Sequence, residues 1–289
     1  MKKQLILIEP RGFCFGVERA LQLLDAELIK DNSPLYAFNQ IVHNKTLVEH
    51  YKAKGVTFTQ NITDIPQGAR VVISAHGVSS EIKEELAKKG LIVIDATCPI
   101  VEKVHKFVKT FGEQGYYIIY IGDPKHDEAK GVIAQNPEII TVIQNEEDAK
   151  NVILKNERYA ILSQTTLNYD EVEAIVKLLK DRYPTKELVD QSKVCKASTE
   201  RQNAVKEYSP QCDLFLVIGS PNSSNAKKLV HIAKQHAKAA YLIENVGELQ
   251  AEWLQGCNIV GLTSGASTPE ELVQQVVGHL RSFVISTEA

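Results

Sequence analysis

Residues 91–105 read Leu91-Ile92-Val93-Ile94-Asp95-Ala96-Thr97-Cys98-Pro99-Ile100-Val101-Glu102-Lys103-Val104-His105. Four apolar, mostly β-branched residues end at Asp95, the pattern of a buried parallel strand. Pro99 suits the first position of a helix, where its missing N–H would have no partner. Ile100, Val101, Val104, Phe107 and Val108 then recur at helical spacing. Cys98 therefore falls in the short loop between the end of a strand and the start of a helix. In open α/β sheets that edge binds ligands. A helix N-terminus favours negative charge and lowers a thiol's pKa, so a cysteine placed there is set up as a thiolate.

The same phrase of apolar strand, polar loop and amphipathic helix recurs along the chain. Residues 4–9 lead through Cys14 to a helix over about 17–30, and residues 70–74 lead through His76 to a helix over 80–89. Residues 116–121 lead through His126 and Glu128 to a helix, and residues 159–162 lead through Gln164, Thr165 and Thr166 to another. Residues 213–218 precede Gly219-Ser-Pro-Asn-Ser223-Ser224-Asn225 and a helix, and residues 258–262 precede Ser267 and a helix. Alternating strands and helices predict parallel sheets with right-handed crossovers. The fold class expected is α/β, with two or three small parallel sheets facing inward, which would bring the polar loops to one centre. The expected units are 14–97, 98–193 and 194–283, with the N-terminal strand of residues 1–13 adding to the third and residues 284–289 forming a tail.

The 289 residues and 44% hydrophobic content suffice for such a core, and a net charge of -3 gives no basis for a nucleic-acid surface. The apolar run at 5–8 is far too short for a signal-peptide core, and no run approaches the roughly 18 apolar residues of a spanning helix. The expected compartment is the cytoplasm. Five scattered cysteines, an odd number, do not make a disulfide framework.

Cys14, Cys98 and Cys195 each stand at a predicted helix start. Cys212 and Cys257 precede strands and read as packing thiols. Three thiolates would hold three corners of a [4Fe–4S] cubane and leave the fourth iron open. Soft sulfur ligands suit iron–sulfur, zinc or Cu(I). Among eight histidines, His43, His76 and His126 fall in the strand-to-helix loops, whereas His50, His105, His231, His236 and His279 fall on helical segments. The loop histidines suit an anion or zinc, though they lack a compact zinc spacing. The 219–225 loop, rich in hydroxyls and amides, favours the anion, and Ser267 repeats the arrangement. Glu128 is the acid among these loops, placed to donate a proton, with Thr165 as an intermediary.

The phrases Arg-Gly-Phe-Cys14-Phe-Gly-Val, Val-His43-Asn, Ser-Ala-His76-Gly-Val, Asp-Ala-Thr-Cys98-Pro, His126-Asp-Glu128, Ser-Gln164-Thr165-Thr166-Leu, Cys195-Lys-Ala-Ser-Thr-Glu-Arg-Gln and Gly-Ala-Ser267-Thr-Pro occur in order over nearly the whole chain. Together with the 219–225 loop, they resemble the 4-hydroxy-3-methylbut-2-enyl diphosphate reductases of the non-mevalonate isoprenoid pathway. The resemblance implies an oxidoreductase that reductively dehydroxylates (E)-4-hydroxy-3-methylbut-2-enyl diphosphate to isopentenyl and dimethylallyl diphosphate. It implies three small parallel-sheet α/β units in a pseudo-threefold cloverleaf around a central [4Fe–4S] cluster held by Cys14, Cys98 and Cys195, with Glu128 as proton donor and Thr165 near the substrate hydroxyl. It implies a diphosphate pocket of His43, His76, His126, Ser223, Ser224, Asn225 and Ser267, with reduced ferredoxin or flavodoxin supplying electrons. A zinc-dependent hydrolase built on the histidines and a non-enzymatic iron–sulfur redox sensor are the alternatives.

Overall fold

A computed structural model describes residues 4–30 and 33–286, with side chains to residue 282. Residues 1–3 of the expected N-terminal strand and 287–289 of the expected tail lie outside the described residues. The chain opens with strand β1 (Gln4–Leu7) and helix α1 (Phe15–Lys30). There follow β2 (Leu35–Phe38), α2 (Lys45–Ala53), β3 (Val56–Thr59), β4 (Arg70–Ile73), α3 (Ser80–Lys88) and β5 (Ile92–Asp95). Next come α4 (Pro99–Glu113), β6 (Tyr117–Ile121), α5 (Asp127–Ile133), β7 (Ile140–Ile143), α6 (Glu146–Asn151), β8 (Arg158–Ser163), α7 (Tyr169–Arg182) and β9 (Glu187–Asp190). The last stretch holds α8 (Lys196–Tyr208), β10 (Leu214–Ile218), α9 (Ser224–His236), β11 (Ala239–Ile243), β12 (Ile259–Ser264) and α10 (Glu270–Ser286).

The described strands form three four-stranded parallel sheets, ordered β3-β2-β4-β5, β7-β6-β8-β9 and β11-β10-β12-β1. Each order is 2-1-3-4, with β1, from the start of the chain, in fourth place beside β12. The strand order reverses between the first and third strands of each sheet, where open parallel sheets form a binding crevice. The loops after those strands carry His43 and His76, then His126 and Thr165, then Ser223 and Ser267. The loop after each fourth strand carries a cysteine: Cys98, Cys195 or Cys14.

The chain divides into two compact units. One holds residues up to Phe15, His43–Leu47 and the chain from Lys196, including the sheet of β1, β10, β11 and β12. The other holds Gly16–Val42 and Val48–Cys195, with the remaining two sheets. Core strands are apolar on both faces: β4, β8 and β10 are almost wholly buried.

The sequence reading anticipated seven of the strands and missed β2, β3, β7, β9 and β11. It also took residues 91–94 for a buried strand. β5 is present and parallel, but Ile92 is 55% and Val93 36% exposed. The strand is last in its sheet order, and an apolar run does not distinguish an edge from a centre.

In β12, a Cβ on Gly261 would lie 2.7 Å from Cys212 Sγ and 2.9 Å from Phe215 Cδ2, so strand and core meet too closely for a methyl. Gly278 sits in α10 with open space around it. Gly261→Ala is expected to destabilise the protein by about 1–3 kcal/mol through overpacking. Gly278→Ala should stabilise it by about 0.5–1 kcal/mol, by helix propensity. Urea unfolding of the two variants checks both signs.

Candidate active site

In the two-sheet unit, Cys98 is the N-cap residue of α4 with Pro99 at its first position. Its N–H donates to the Ala75 carbonyl at 3.0 Å, beside His76. The N–H of Cys195 donates to the Thr165 carbonyl at 2.8 Å. Asp95 secures the Cys98 loop: its Oδ1 accepts from Thr97 N at 2.9 Å and from the Thr97 hydroxyl. Burial opposes the charge on Asp95, but hydrogen bonds from Lys83 and Thr97 outweigh it and hold the carboxyl below its ordinary value.

His76 precedes Gly77, whose φ of +74° suits glycine, and a Cβ there would lie 2.9 Å from Thr97 Cγ2. His126 caps α5, its Nδ1 accepting from Glu128 N at 3.2 Å, so the neutral ring carries its proton on Nε2. The His76 and His126 rings stand edge to face, 5.6 Å between centroids.

Glu128, in the first turn of α5, is 2% exposed. Its Oε1 accepts from Thr165 N at 2.7 Å and its Oε2 from Thr165 Oγ1 at 2.9 Å. Burial pushes its pKa up to about 7, against the lowering effect of these two bonds. Thr165 thus orients the carboxyl while its carbonyl holds the Cys195 amide. Thr166 is engaged differently, its hydroxyl accepting from Gln164 Nε2 at 3.3 Å.

In the one-sheet unit, Cys14 N donates to the Ala266 carbonyl at 3.2 Å. The Gly12 amide donates to Ser264 Oγ at 2.8 Å, and Arg201 donates to the Gly12 carbonyl at 2.8 Å. Ser223 caps α9, accepting from Ala226 N at 3.3 Å, and Ser224 is the first residue of that helix. Asn225 Oδ1 accepts from Ala266 N at 2.9 Å, and its Nδ2 donates to Ser198 Oγ at 3.4 Å. Ser267 Oγ donates to the His43 carbonyl at 3.1 Å, and Asn44 returns a bond to the Ser267 carbonyl at 2.9 Å. The 219–225 loop offers a helix N-terminus with hydroxyls and an amide around it, a setting for an anion.

The predicted residues thus form two sets. Cys98, Cys195, His76, His126, Glu128 and Thr165 lie in the first unit described, and Cys14, His43, Ser223, Ser224, Asn225 and Ser267 in the second. None of the five cysteines forms a disulfide among the described residues. Cys212 is buried and donates to the Tyr208 carbonyl, and burial, then Asp213, pushes its thiol up to about 11. Cys257 donates to the Trp253 carbonyl. The sequence reading did not single out Asn44, Gln164 and Ser198, each of which holds a site loop through a side-chain bond. All three stood inside the quoted motifs, and the first two next to chosen residues.

A family model described as LytB protein matches residues 5–281. The chain belongs to this family, that of the 4-hydroxy-3-methylbut-2-enyl diphosphate reductases. The reductase of Protochlamydia amoebophila is 42% identical over 275 residues, covering 95% of this chain and 88% of the relative. That of Cutibacterium acnes is 44% identical over 284 residues, covering 97% of this chain and 87% of the relative. The solved E-1-hydroxy-2-methyl-but-2-enyl-4-diphosphate reductase of Plasmodium falciparum superposes with a TM-score of 0.93 at 38% identity, covering 97% of this chain and 88% of that one. A second solved structure, described as (E)-4-hydroxy-3-methyl-but-2-enyl diphosphate reductase, the terminal enzyme of the non-mevalonate pathway, gives 0.70 at 35% identity, covering 97% and 99%.

In this LytB chain the raised carboxyl has a thermodynamic signature. Glu128 titrates near 4.5 when unfolded and near 7 when folded. The native state therefore binds the extra proton between those values, and stability falls as pH rises through that window. A gap of this size corresponds to about 3 kcal/mol. Glu128→Gln removes the titration, so the variant's stability relative to wild type should rise from pH 4.5 to pH 7 and then level off. Urea midpoints measured across pH at equal iron content check this, and parallel curves would contradict it.

Proposed function

We propose that the protein reductively removes the allylic hydroxyl of (E)-4-hydroxy-3-methylbut-2-enyl diphosphate, giving isopentenyl and dimethylallyl diphosphate. Family membership supports the reaction, and the relatives compared carry a reductase's name. The observation that carries the chemistry is the buried Glu128 carboxyl, held at two points by Thr165 and retaining a proton near neutrality.

The donor set fits a [4Fe–4S] cluster. Cys14, Cys98 and Cys195 are half-buried and outside any disulfide, each follows the fourth strand of its sheet, and each has its amide fixed on the loop after the third strand. Such a cluster, when bound, supplies single electrons and a Lewis-acidic iron for the hydroxyl. Reduced ferredoxin or flavodoxin delivers those electrons. Five cysteines outside any disulfide suit a reducing cytoplasm, and no helix among the described residues is long and apolar enough to cross a membrane.

The reaction consumes two electrons and two protons. One proton converts the departing hydroxyl to water and the other adds to carbon at either end of the allyl unit. Glu128 gives the first, because hydroxide alone is a poor leaving group. Thr165 keeps the acid oriented and stands near the substrate hydroxyl. His43, His76, His126, Ser223, Ser224, Asn225 and Ser267 bind the diphosphate through N–H and O–H donors. This remote anchoring is converted into orientation at the reacting carbon.

Protein purified without oxygen is expected to contain iron and sulfide and to convert the allylic diphosphate when given a reductant. Glu128→Gln should keep the iron and lose turnover about 100-fold or more. Cys98→Ser should lose iron, whereas Cys212→Ser should not. Full turnover in the Glu128 variant, or unchanged iron in the Cys98 variant, would overturn the respective assignment.

A further inference from the structure

We infer that His105 and Gln135 form a positioning pair that sets the placement of the His76 loop and of the α5 turn bearing His126 and Glu128. The inference rests on the functional reading above. His105 lies on α4, two turns after Cys98, and is 7% exposed. Gln135 lies just past the end of α5.

The Gln135 side chain joins three segments. Its Nε2 donates to the Gly131 carbonyl at 2.8 Å and to the Val78 carbonyl at 3.4 Å, and lies 3.3 Å from His105 Nδ1. Its Oε1 accepts from Ser80 Oγ at 2.8 Å. The two carbonyls accept only, so they fix which end of the amide is nitrogen. One N–H goes to the Gly131 carbonyl and the other is shared between the Val78 carbonyl and His105 Nδ1, so Nδ1 is an acceptor and the neutral ring carries its proton on Nε2. Burial, then the charge of Lys83, pushes the imidazole down to about 4, so the ring is neutral at physiological pH.

The ring fills the space between the elements that carry the site. A Cβ on Gly77 would lie 3.0 Å from His105 Cε1. A Cβ on Gly131 would lie 3.5 Å from His105 Nε2 and 3.6 Å from the Gly77 carbonyl. Gly77 follows His76, and Gly131 lies one helical turn after Glu128. A shift of the ring therefore moves both.

Packing alone does not account for a histidine here. Its Nε2 is buried with no hydrogen-bond partner among the described residues, an unfavourable arrangement that phenylalanine would avoid. What phenylalanine lacks is the acceptor that locks ring and amide in one orientation. Misplacement of a substrate-binding group by about 1 Å costs up to about 100-fold in rate.

His105→Phe, Gln135→Leu, their double variant and His76→Ala are compared as iron-loaded enzyme for KM, kcat, melting temperature and iron content, and for the affinity of inorganic diphosphate by calorimetry. The expected result for His105→Phe is a folded protein with wild-type iron, KM raised and diphosphate affinity lowered about tenfold, and kcat reduced. Gln135→Leu should reproduce this, and the double variant should be no worse than the poorer single one, because the pair acts as a unit. A purely structural role would lower the melting temperature and leave KM, kcat and diphosphate affinity within twofold, which would overturn the inference. If His105→Phe does not fold, Gln135→Leu alone decides by the same readouts. Wild-type KM and diphosphate affinity in His76→Ala would instead overturn the reading of the site, and the inference with it. A His76→Ala defect beside unaffected His105 and Gln135 variants would sink the inference alone.

Discussion

The two hydrogen bonds from Thr165 to the Glu128 carboxyl are the interaction on which the site depends. A carboxyl this deeply buried is stable only when its oxygens are satisfied, and here a single residue supplies both donors. The same residue accepts the Cys195 amide through its carbonyl. Glu128 in turn donates its own N–H to His126. A cysteine from the connection after β9, and an acid and a histidine from the connection after β6, are thereby held by four bonds inside one compact unit. Burial makes the acid reluctant to ionise, and the Thr165 bonds limit that reluctance, so the proton remains exchangeable near neutrality.

Topology supplies the loops that make this arrangement. Every sheet runs 2-1-3-4, so the loops after its first and third strands flank a reversal of strand order. Backbone bonds tie the start of the loop after each third strand to the end of the first strand or the loop beyond it: Gln164 to Ile121, Gly265 to Ile218 and Ala75 to Ile41. A cysteine amide then bonds to the loop after the third strand, three times over. The chain reaches this repetition without sequence repeats, because backbone bonds and crossover handedness do not depend on side-chain identity. The third sheet completes itself with β1, so the first cysteine and the last strands belong to one unit.

Much of this was legible in the sequence, for identifiable reasons. Cys98-Pro99 marked a helix start because proline at the first helical position leaves a recognisable signature, and the structure has Cys98 as the cap. The central strands β4, β6, β8, β10 and β12 were readable because burial on both faces demands continuous apolar runs. The missed strands β3, β7 and β9 carry polar residues among their four positions, so they lack the continuous apolar run that marked the central strands. The exposed edge position of β5 was hidden for a related reason, since order within a sheet is set by pairing between distant segments. The bonds of Asn44 to residue 267 and of Gln135 to residues 78 and 105 span sequence separations that no local pattern encodes. The chemistry of the loops could be read from residue type; their mutual holding could not.

The central claim is that Glu128 still holds a proton near neutrality because the fold buries it and, among the described residues, Thr165 alone donates to its carboxyl. Infrared difference spectroscopy across pH, with Glu128→Gln identifying the band, measures that proton directly. The protonated-carboxyl stretch of Glu128 should titrate with a midpoint of about 7. A band already absent at pH 5.5, the behaviour of an ordinary solvated glutamate, would contradict the account.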